Sequence, residues 1–270
     1  MAEDFTAKLE AQGLVMLADR PFVLTAEEGA LLAAGLSDGR AKNISLDADG
    51  KGVRGAAAGG EALTALMNRY AAWSRALICE IAPGYSGALE RGRTSFRPRN
   101  VDEPAASPRK DDRRLHADAF PSQPTGGKRI LRVFSNINPA GEVRVWQVGE
   151  AFESYAGRWL KQARRPWPGE AWGLQRLGIT RARRTDYDAL MLGLHDRAKL
   201  DADYQRDAPR REVAFAAGAS WIVFTDSTVH AAIAGRYALE QTFYLPVSAM
   251  AAPEASPLKI LERLTGRALT

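Results

Sequence analysis

The spacing of apolar residues along this chain shifts repeatedly, and each shift marks a different kind of element. Over residues 25–34, and again from Glu61 to about Ile81, apolar positions recur every three or four residues, as on an amphipathic helix. Thr25 is placed to cap the first helix, with Glu27 and Glu28 in its opening turn, where the dipole favours acids. Pro83 and Gly84 end the second. Asp38-Gly39 and residues 47–50 mark turns around a short extended piece, 42–46. From about residue 92 short runs rich in β-branched and aromatic residues take over, at 94–97, 114–118, 130–137 and 143–148, punctuated by Gly, Pro and Asn. A polar stretch from about 152 to 208 then predicts helices over 152–163 and 186–200, with a turn at 166–168 between them. Strand texture returns at 213–215, 220–225, 228–233 and 237–246. Ser256 and Pro257 open a last helix, in which Leu258, Leu261 and Leu264 fall at helical spacing.

Two strand blocks around a helical insertion predict an α+β protein built on a double-stranded β-helix, an eight-stranded jelly roll of cupin-like form. The expected division is a single domain, 1–270: a helical N-terminal buttress (1–90), a jelly-roll core (91–150 and 212–248), a helical insertion (151–211) and a C-terminal helix (249–270). A hydrophobic content of 46% and a charged content of 26% suit a globular protein of this kind. No apolar run approaches the roughly 18 residues of a membrane span, and the acidic N-terminus has no apolar signal core. The expected location is therefore the cytoplasm. The single cysteine, Cys79, excludes an intrachain disulfide framework and Cys-rich metal sites, and its apolar helical setting marks it as a small core residue.

Chemistry enters through the histidines, of which the chain has three. His116 and Asp118 form an H-x-D triplet in a predicted strand, where alternate side chains share a face. His230 closes the apolar run that begins at Trp221. Two imidazoles and a carboxylate from neighbouring strands make the facial triad of non-haem iron oxygenases, with positions left open for a co-substrate and O2. Hydrolytic zinc is an alternative for the same ligands, although H-E-x-x-H and the other zinc spacings are absent. A hydrogen-bonded pair of core histidines in a metal-free binding module is another. The third histidine, His195, lies in the insertion beside Asp196 and Lys199 and reads as structural.

Net charge is +5, and the basic residues fall in islands: 91–99, 109–114, 128–132, Lys161 with Arg164 and Arg165, and 181–184. A basic surface attracts polyanions, which makes a nucleic-acid-binding protein without catalysis the reading to weigh against an enzyme. No helix-turn-helix, zinc finger or RNP motif is present, and the aromatics do not interleave with the islands as a stacking platform requires.

Longer motifs resolve the choice. Residues 111–121, 127–139, 218–226 and 230–246 resemble the Kdo hydroxylases, as do 42–44, 94–98, Tyr187-Asp188 and 256–262. The similarity runs from about residue 20 to the C-terminus. It implies an Fe(II)- and 2-oxoglutarate-dependent dioxygenase, activated in vitro by ascorbate. The implied reaction uses O2 to hydroxylate C3 of a 3-deoxy-D-manno-oct-2-ulosonic acid (Kdo) unit on Kdo2-lipid A, giving Ko. An oxygenase of the same type acting on another substrate is the nearest alternative. The resemblance assigns the metal to His116, Asp118 and His230.

The distal carboxylate of 2-oxoglutarate needs a buried cation. Many oxygenases of the wider superfamily place an arginine on the last barrel strand, but residues 237–245 contain neither Arg nor Lys. The superfamily's other solution is a basic residue on the strand after the H-x-D. This points to Arg132 with Asn136 beside it, and to Arg97 and Arg236 after them. Arg97, Arg99, Arg113 and Arg114 are expected to meet the anionic groups of the glycolipid. With no membrane span, peripheral contact with the inner leaflet of the inner membrane is expected.

Overall fold

In chain order the helices and strands are α1 (Ala2–Gln12), β1 (Leu14–Leu17), α2 (Ala26–Ala33), β2 (Ile44–Leu46), α3 (Gly60–Ile81), β3 (Glu90–Arg97), β4 (Arg129–Asn136), β5 (Arg144–Val148), α4 (Phe152–Trp159), α5 (Glu170–Arg176), α6 (Asp186–Leu200), α7 (Ala202–Asp207), β6 (Arg211–Phe215), β7 (Ser220–Phe224), β8 (His230–Ala234), β9 (Ala238–Leu245) and α8 (Pro257–Thr265). This computed structural model describes residues 2–33, 36, 38, 42–57, 59–101, 106–163, 167 and 169–270. Arg164 and Arg165, Gly39 of the first predicted turn, and Pro166 and Pro168 of the insertion turn lie outside the described residues.

The strands form two antiparallel sheets, a large one in the order β1-β7-β4-β9-β3-β2 and a small one in the order β6-β5-β8. Central strand β4 is buried along its whole length because both its faces are covered. Leu131 and Val133 point to α1 and α3, packing with Leu9, Leu77 and Ile78. Phe134 points the other way and joins Trp221 of β7 with Trp146, Val213 and Phe215 of the small sheet. Burying one such side chain contributes about 1.5–3 kcal/mol, so these two layers hold the jelly roll together.

The insertion forms a third layer. Phe152, Tyr155 and Trp159 of α4, Leu190, Met191 and Leu194 of α6, and Leu258 and Leu261 of α8 pack around Leu115, Ala117, Val229 and Ala231. The last four flank the predicted metal ligands. The start of α6 is fixed by a capping box between Thr185 and Asp188. Asp188 Oδ1 also accepts the Thr125 and Gly126 amides at 2.7 and 3.1 Å, tying the loop after the H-x-D to α6.

Two expectations need correction. Among the described residues there are nine strands, not eight: 114–118 contributes none, and β1 and β2 add the two edges of the large sheet. Residues 114–118 do not form a strand but make a single bridge, His116 with His230, with reciprocal N–H to carbonyl bonds of 3.0 and 2.8 Å. The ladder with β8 ends on either side of this bridge because the next backbone groups pair elsewhere. The Ala232 amide passes Arg114 and donates to the Asp112 carbonyl at 2.8 Å, while on the opposite edge of the segment a side chain takes the Leu115 groups. The Gln205 Oε1 of α7 accepts the Leu115 amide at 2.8 Å, and its Nε2 donates to the Leu115 carbonyl at 3.0 Å. The Asp118 amide turns instead to the Thr225 carbonyl, at 2.8 Å. No helix of the described residues is long and apolar enough to cross a membrane.

Candidate metal and co-substrate site

The bridge between His116 and His230 sets two imidazoles side by side, with ring centroids 4.7 Å apart. Asp118, two residues on in extended chain, brings Oδ1 to 3.4 Å from His116 Nε2. One ligand atom from each of the three lies within 4.8 Å of the others. Both rings are oriented by the backbone: His116 Nδ1 donates to the Arg114 carbonyl at 2.7 Å and His230 Nδ1 to the Thr228 carbonyl at 2.8 Å. That tautomer leaves each Nε2 lone pair free for a metal.

Burial holds the His116 imidazole at a pKa of about 3 and lowers that of His230, so both stay neutral, as ligands must. Burial alone would raise the Asp118 carboxyl, but the Arg132 guanidinium and the two imidazoles hold it well below its usual range. Two neutral nitrogens, one anionic oxygen and a shared face fit a divalent metal of the iron type.

The triad opens on a cavity of about 570 Å³, within the roughly 300–1,000 Å³ of ligand sites. Seven cationic side chains line it (Lys42, Arg97, Arg109, Lys110, Arg132, Arg144 and Lys199) against three carboxylates, Asp112, Asp118 and Asp196. Much of this charge is locked in a chain of ion pairs that runs from buried Arg132 and Glu240 out to exposed Lys42. Arg132 reaches Asp118 Oδ2 at 3.0 Å and Glu240 Oε1 at 3.1 Å. Arg97 reaches Glu240 Oε2 at 2.6 Å and Asp112 Oδ2 at 3.2 Å, and Lys42 reaches Asp112 at 2.7 Å. Against the cost of burial, the Glu240 and Asp112 carboxylates push Arg97 above its ordinary pKa, and Arg132 and Arg97 keep Glu240 ionised.

Arg144 is different. It is 1% exposed, its Nη1 donates only to the Gly235 carbonyl at 3.1 Å, and among the described residues no carboxylate lies within ion-pair distance. Burial, with the nearby Arg97 charge, pulls its pKa down to about 9. Its Nε, Arg132 Nε and Trp146 Nε1 are all buried without a hydrogen-bond partner among the described residues, and all three residues line the cavity. Orphaned donors of this kind mark where an anionic ligand belongs.

The structure brings His116, Asp118, His230, Arg97 and Arg132 into one cavity. It does not bring Asn136 there, although strand parity puts it on the face of Arg132. Asn136 Nδ2 is spent on the Glu142 and Phe215 carbonyls, and its Oδ1 accepts the Asn138 amide. Arg236 also lies elsewhere, beside Glu142 at 3.3 Å and over the Tyr237 ring. Neither Arg113, which pairs with Asp111, nor Arg114, whose Nη1 donates to the Lys199 carbonyl, lines the cavity, and Arg99 is not among the lining residues. His195, read as structural, lines the cavity with its ring edge-on to His116, centroids 5.3 Å apart, and is hydrogen-bonded to Asp196 at 3.0 Å.

Arg144 and Trp146 were missed by sequence reasoning, though a signal existed. In β5 they share one face with Val148, and a strand that turns Trp146 inward must bury Arg144 with it.

Among known families, the chain matches 3-deoxy-D-manno-oct-2-ulosonic acid (Kdo) hydroxylase over residues 1–268. Among solved structures it is similar to the Kdo hydroxylase KdoO, a non-heme Fe(II) α-ketoglutarate-dependent dioxygenase. With the complex holding α-ketoglutarate and Fe(III) it shares 43% identity, covering 100% of this chain and 91% of that one, at a TM-score of 0.93. With the cobalt(II) complex the values are 44%, 99%, 91% and 0.94, and with the succinate and Fe(III) complex 43%, 99%, 91% and 0.93. No curated protein sequence matches it.

Proposed function

The chain belongs to the Kdo hydroxylase family, and from that premise we propose that it uses Fe(II), 2-oxoglutarate and O2 to hydroxylate C3 of a Kdo unit on Kdo2-lipid A. It is a non-haem Fe(II)/2-oxoglutarate dioxygenase. The glycolipid, the product Ko, the residue roles below and a working place on the cytoplasmic side of the inner membrane are our reading. One observation carries it: two imidazoles and a carboxylate converge in the same cavity as a buried guanidinium that meets no carboxylate among the described residues.

His116, Asp118 and His230 would hold the iron, which with 2-oxoglutarate and O2 supplies the oxidising power for the C–H bond and leaves succinate and CO2. Arg132 holds Asp118 Oδ2, so that Oδ1 faces the two histidines. Arg144 would receive the distal carboxylate of 2-oxoglutarate, joined by Trp146 Nε1 as a second donor. Trp146 also stacks on the His230 ring at 4.9 Å and shields that ligand from water. Arg97 and Arg132 are already neutralised by Glu240, Asp112 and Asp118, which makes them shapers of the cavity rather than its free anion receptor.

Toward the mouth, Lys199 is buried with its Nζ donating to the Arg109 carbonyl at 3.1 Å, and His195 stands one helical turn before it on α6. These two, with Arg109, are suited to the carboxylate of the sugar acid.

Mass spectrometry of Kdo2-lipid A after incubation with enzyme, Fe(II), 2-oxoglutarate and ascorbate should show a gain of one oxygen on the sugar, abolished in His116→Ala. No gain with an iron-loaded enzyme would reject the substrate. The two arginines should separate: Arg144→Gln raises the 2-oxoglutarate requirement at least tenfold with cobalt(II) affinity kept, whereas Arg132→Ala weakens cobalt(II) binding by freeing Asp118. The opposite pattern would return the co-substrate role to Arg132.

A further inference from the structure

We propose that the outer part of the helical insertion, residues 167–184, docks the enzyme on an anionic bilayer surface, a proposal that rests on the glycolipid reading above. Of the nine large hydrophobic side chains exposed among the described residues, four fall between 167 and 179: Trp167 (72%), Trp172 (63%), Leu177 (75%) and Ile179 (52%). The other tryptophans of the chain are buried or half-buried. Helix α5, at the centre of this patch, has no fully buried side chain, so its apolar residues are not there to build the core. A patch of this kind needs a partner.

Charge identifies the partner. Residues 167–184 carry four arginines (Arg176, Arg181, Arg183 and Arg184) against one acid, Glu170. Tryptophan and branched aliphatics ringed by arginine suit the boundary between acyl chains and phosphate headgroups. A second copy of the chain would set four arginines against four, so self-association through this face is disfavoured.

Position gives the patch a use. A cavity of about 660 Å³ beneath it, lined in part by Trp167, Trp172 and Arg183, shares Glu170, Arg184 and Ala189 with a neighbour of about 440 Å³. That neighbour shares Arg109, Leu192 and Asp196 with the metal cavity. Shared walls thus set the three cavities side by side from the patch to the metal site, which places the bilayer where a lipid-anchored sugar could reach the metal while its acyl chains stay in the membrane.

The test is sedimentation of the full-length cobalt(II)-loaded protein with vesicles of phosphatidylethanolamine and phosphatidylglycerol, and with vesicles of phosphatidylcholine alone. Binding is expected to the anionic vesicles, weakened by salt, and to fall at least tenfold in Leu177→Asp/Ile179→Asp, two positions that line none of these three cavities. The same variant should hydroxylate vesicle-embedded Kdo2-lipid A at least tenfold more slowly and the deacylated, water-soluble saccharide at the wild-type rate. Wild-type protein that ignores anionic vesicles, a variant that binds them equally, or a wild-type dimer that the variant dissolves would each overturn the proposal. Vesicle binding lost in the variant, with no hydroxylation of either substrate by the wild type, would support the docking surface and count against the reaction instead.

Discussion

A guanidinium withdrawn from water is tolerated when a carboxylate meets it, and Arg97, Arg129 and Arg132 each have one: Glu240 for the first and third, and Asp226 for Arg129 at 2.7 Å. Among the described residues Arg144 has only a carbonyl, and it keeps a depressed pKa of about 9. Its charge is a cost that a dicarboxylate bound as proposed would remove. Saturating 2-oxoglutarate at about a hundred times its Kd should stabilise the cobalt(II) form by about 2.7 kcal/mol, which raises Tm by about 5–10 °C. Arg144→Gln should lose most of that increment and keep the increment from cobalt(II) alone, as differential scanning fluorimetry would show.

His116 gives a second expectation, set by proton balance. Unfolded, it takes up a proton below about pH 6.5, while burial holds the folded ring at about 3. Between those values the unfolded chain binds more protons, so stability falls as pH falls. The Tm of metal-free protein should therefore decline from pH 6.5 to 4, and decline less steeply in His116→Gln. A decline equally steep in that variant would place the acid sensitivity elsewhere.

Among the elements, those with strong local signals were legible before any coordinates. The predicted helix over Asp186–Leu200 has those bounds in the structure, where Thr185 and Asp188 form a capping box at its start. Ser256 caps α8 by accepting the Lys259 amide, as its position before Pro257 implies. What the sequence hid was long-range. The Asp118 amide goes to the Thr225 carbonyl and the Ala232 amide to Asp112, which limits 114–118 to a single bridge, and Gln205, ninety residues away, closes the segment's other edge at Leu115. Which way β5 faces was equally hidden, because Arg144, Trp146 and Val148 alternate with Val145 and Gln147 and neither side is wholly apolar. The other sheet decides it. Trp146 meets Trp221 edge-on at 5.7 Å, and Trp221 is stacked between Phe215 at 3.9 Å and Phe134 at 5.1 Å. Trp221→Ala should cost about 3–5 kcal/mol, measured by chemical denaturation. A loss below about 1 kcal/mol would show that the two sheets do not depend on this contact.

Across the whole molecule, the residues that converge as the candidate metal triad were legible because an H-x-D triplet and a distal histidine stand out in the sequence, whereas the proposed anion receptor depends on how sheets and insertion close around them. Closure also leaves the large sheet with a vulnerable flank. Strand β1 lies along β7 in the register Leu14 with Val223 and Leu17 with Ser220. The stretch it covers, Ser220–Phe224, is buried at every position and carries no charge. Deleting residues 1–17 would uncover a ladder of unsatisfied amides and carbonyls on an uncharged, aromatic and β-branched ribbon, which is a template for intermolecular pairing. Light scattering on such a truncated protein should report growing aggregates where the full chain stays dispersed. The first strand, four residues long, thus acts as a selvedge that keeps the fabric of the barrel from being extended by its neighbours.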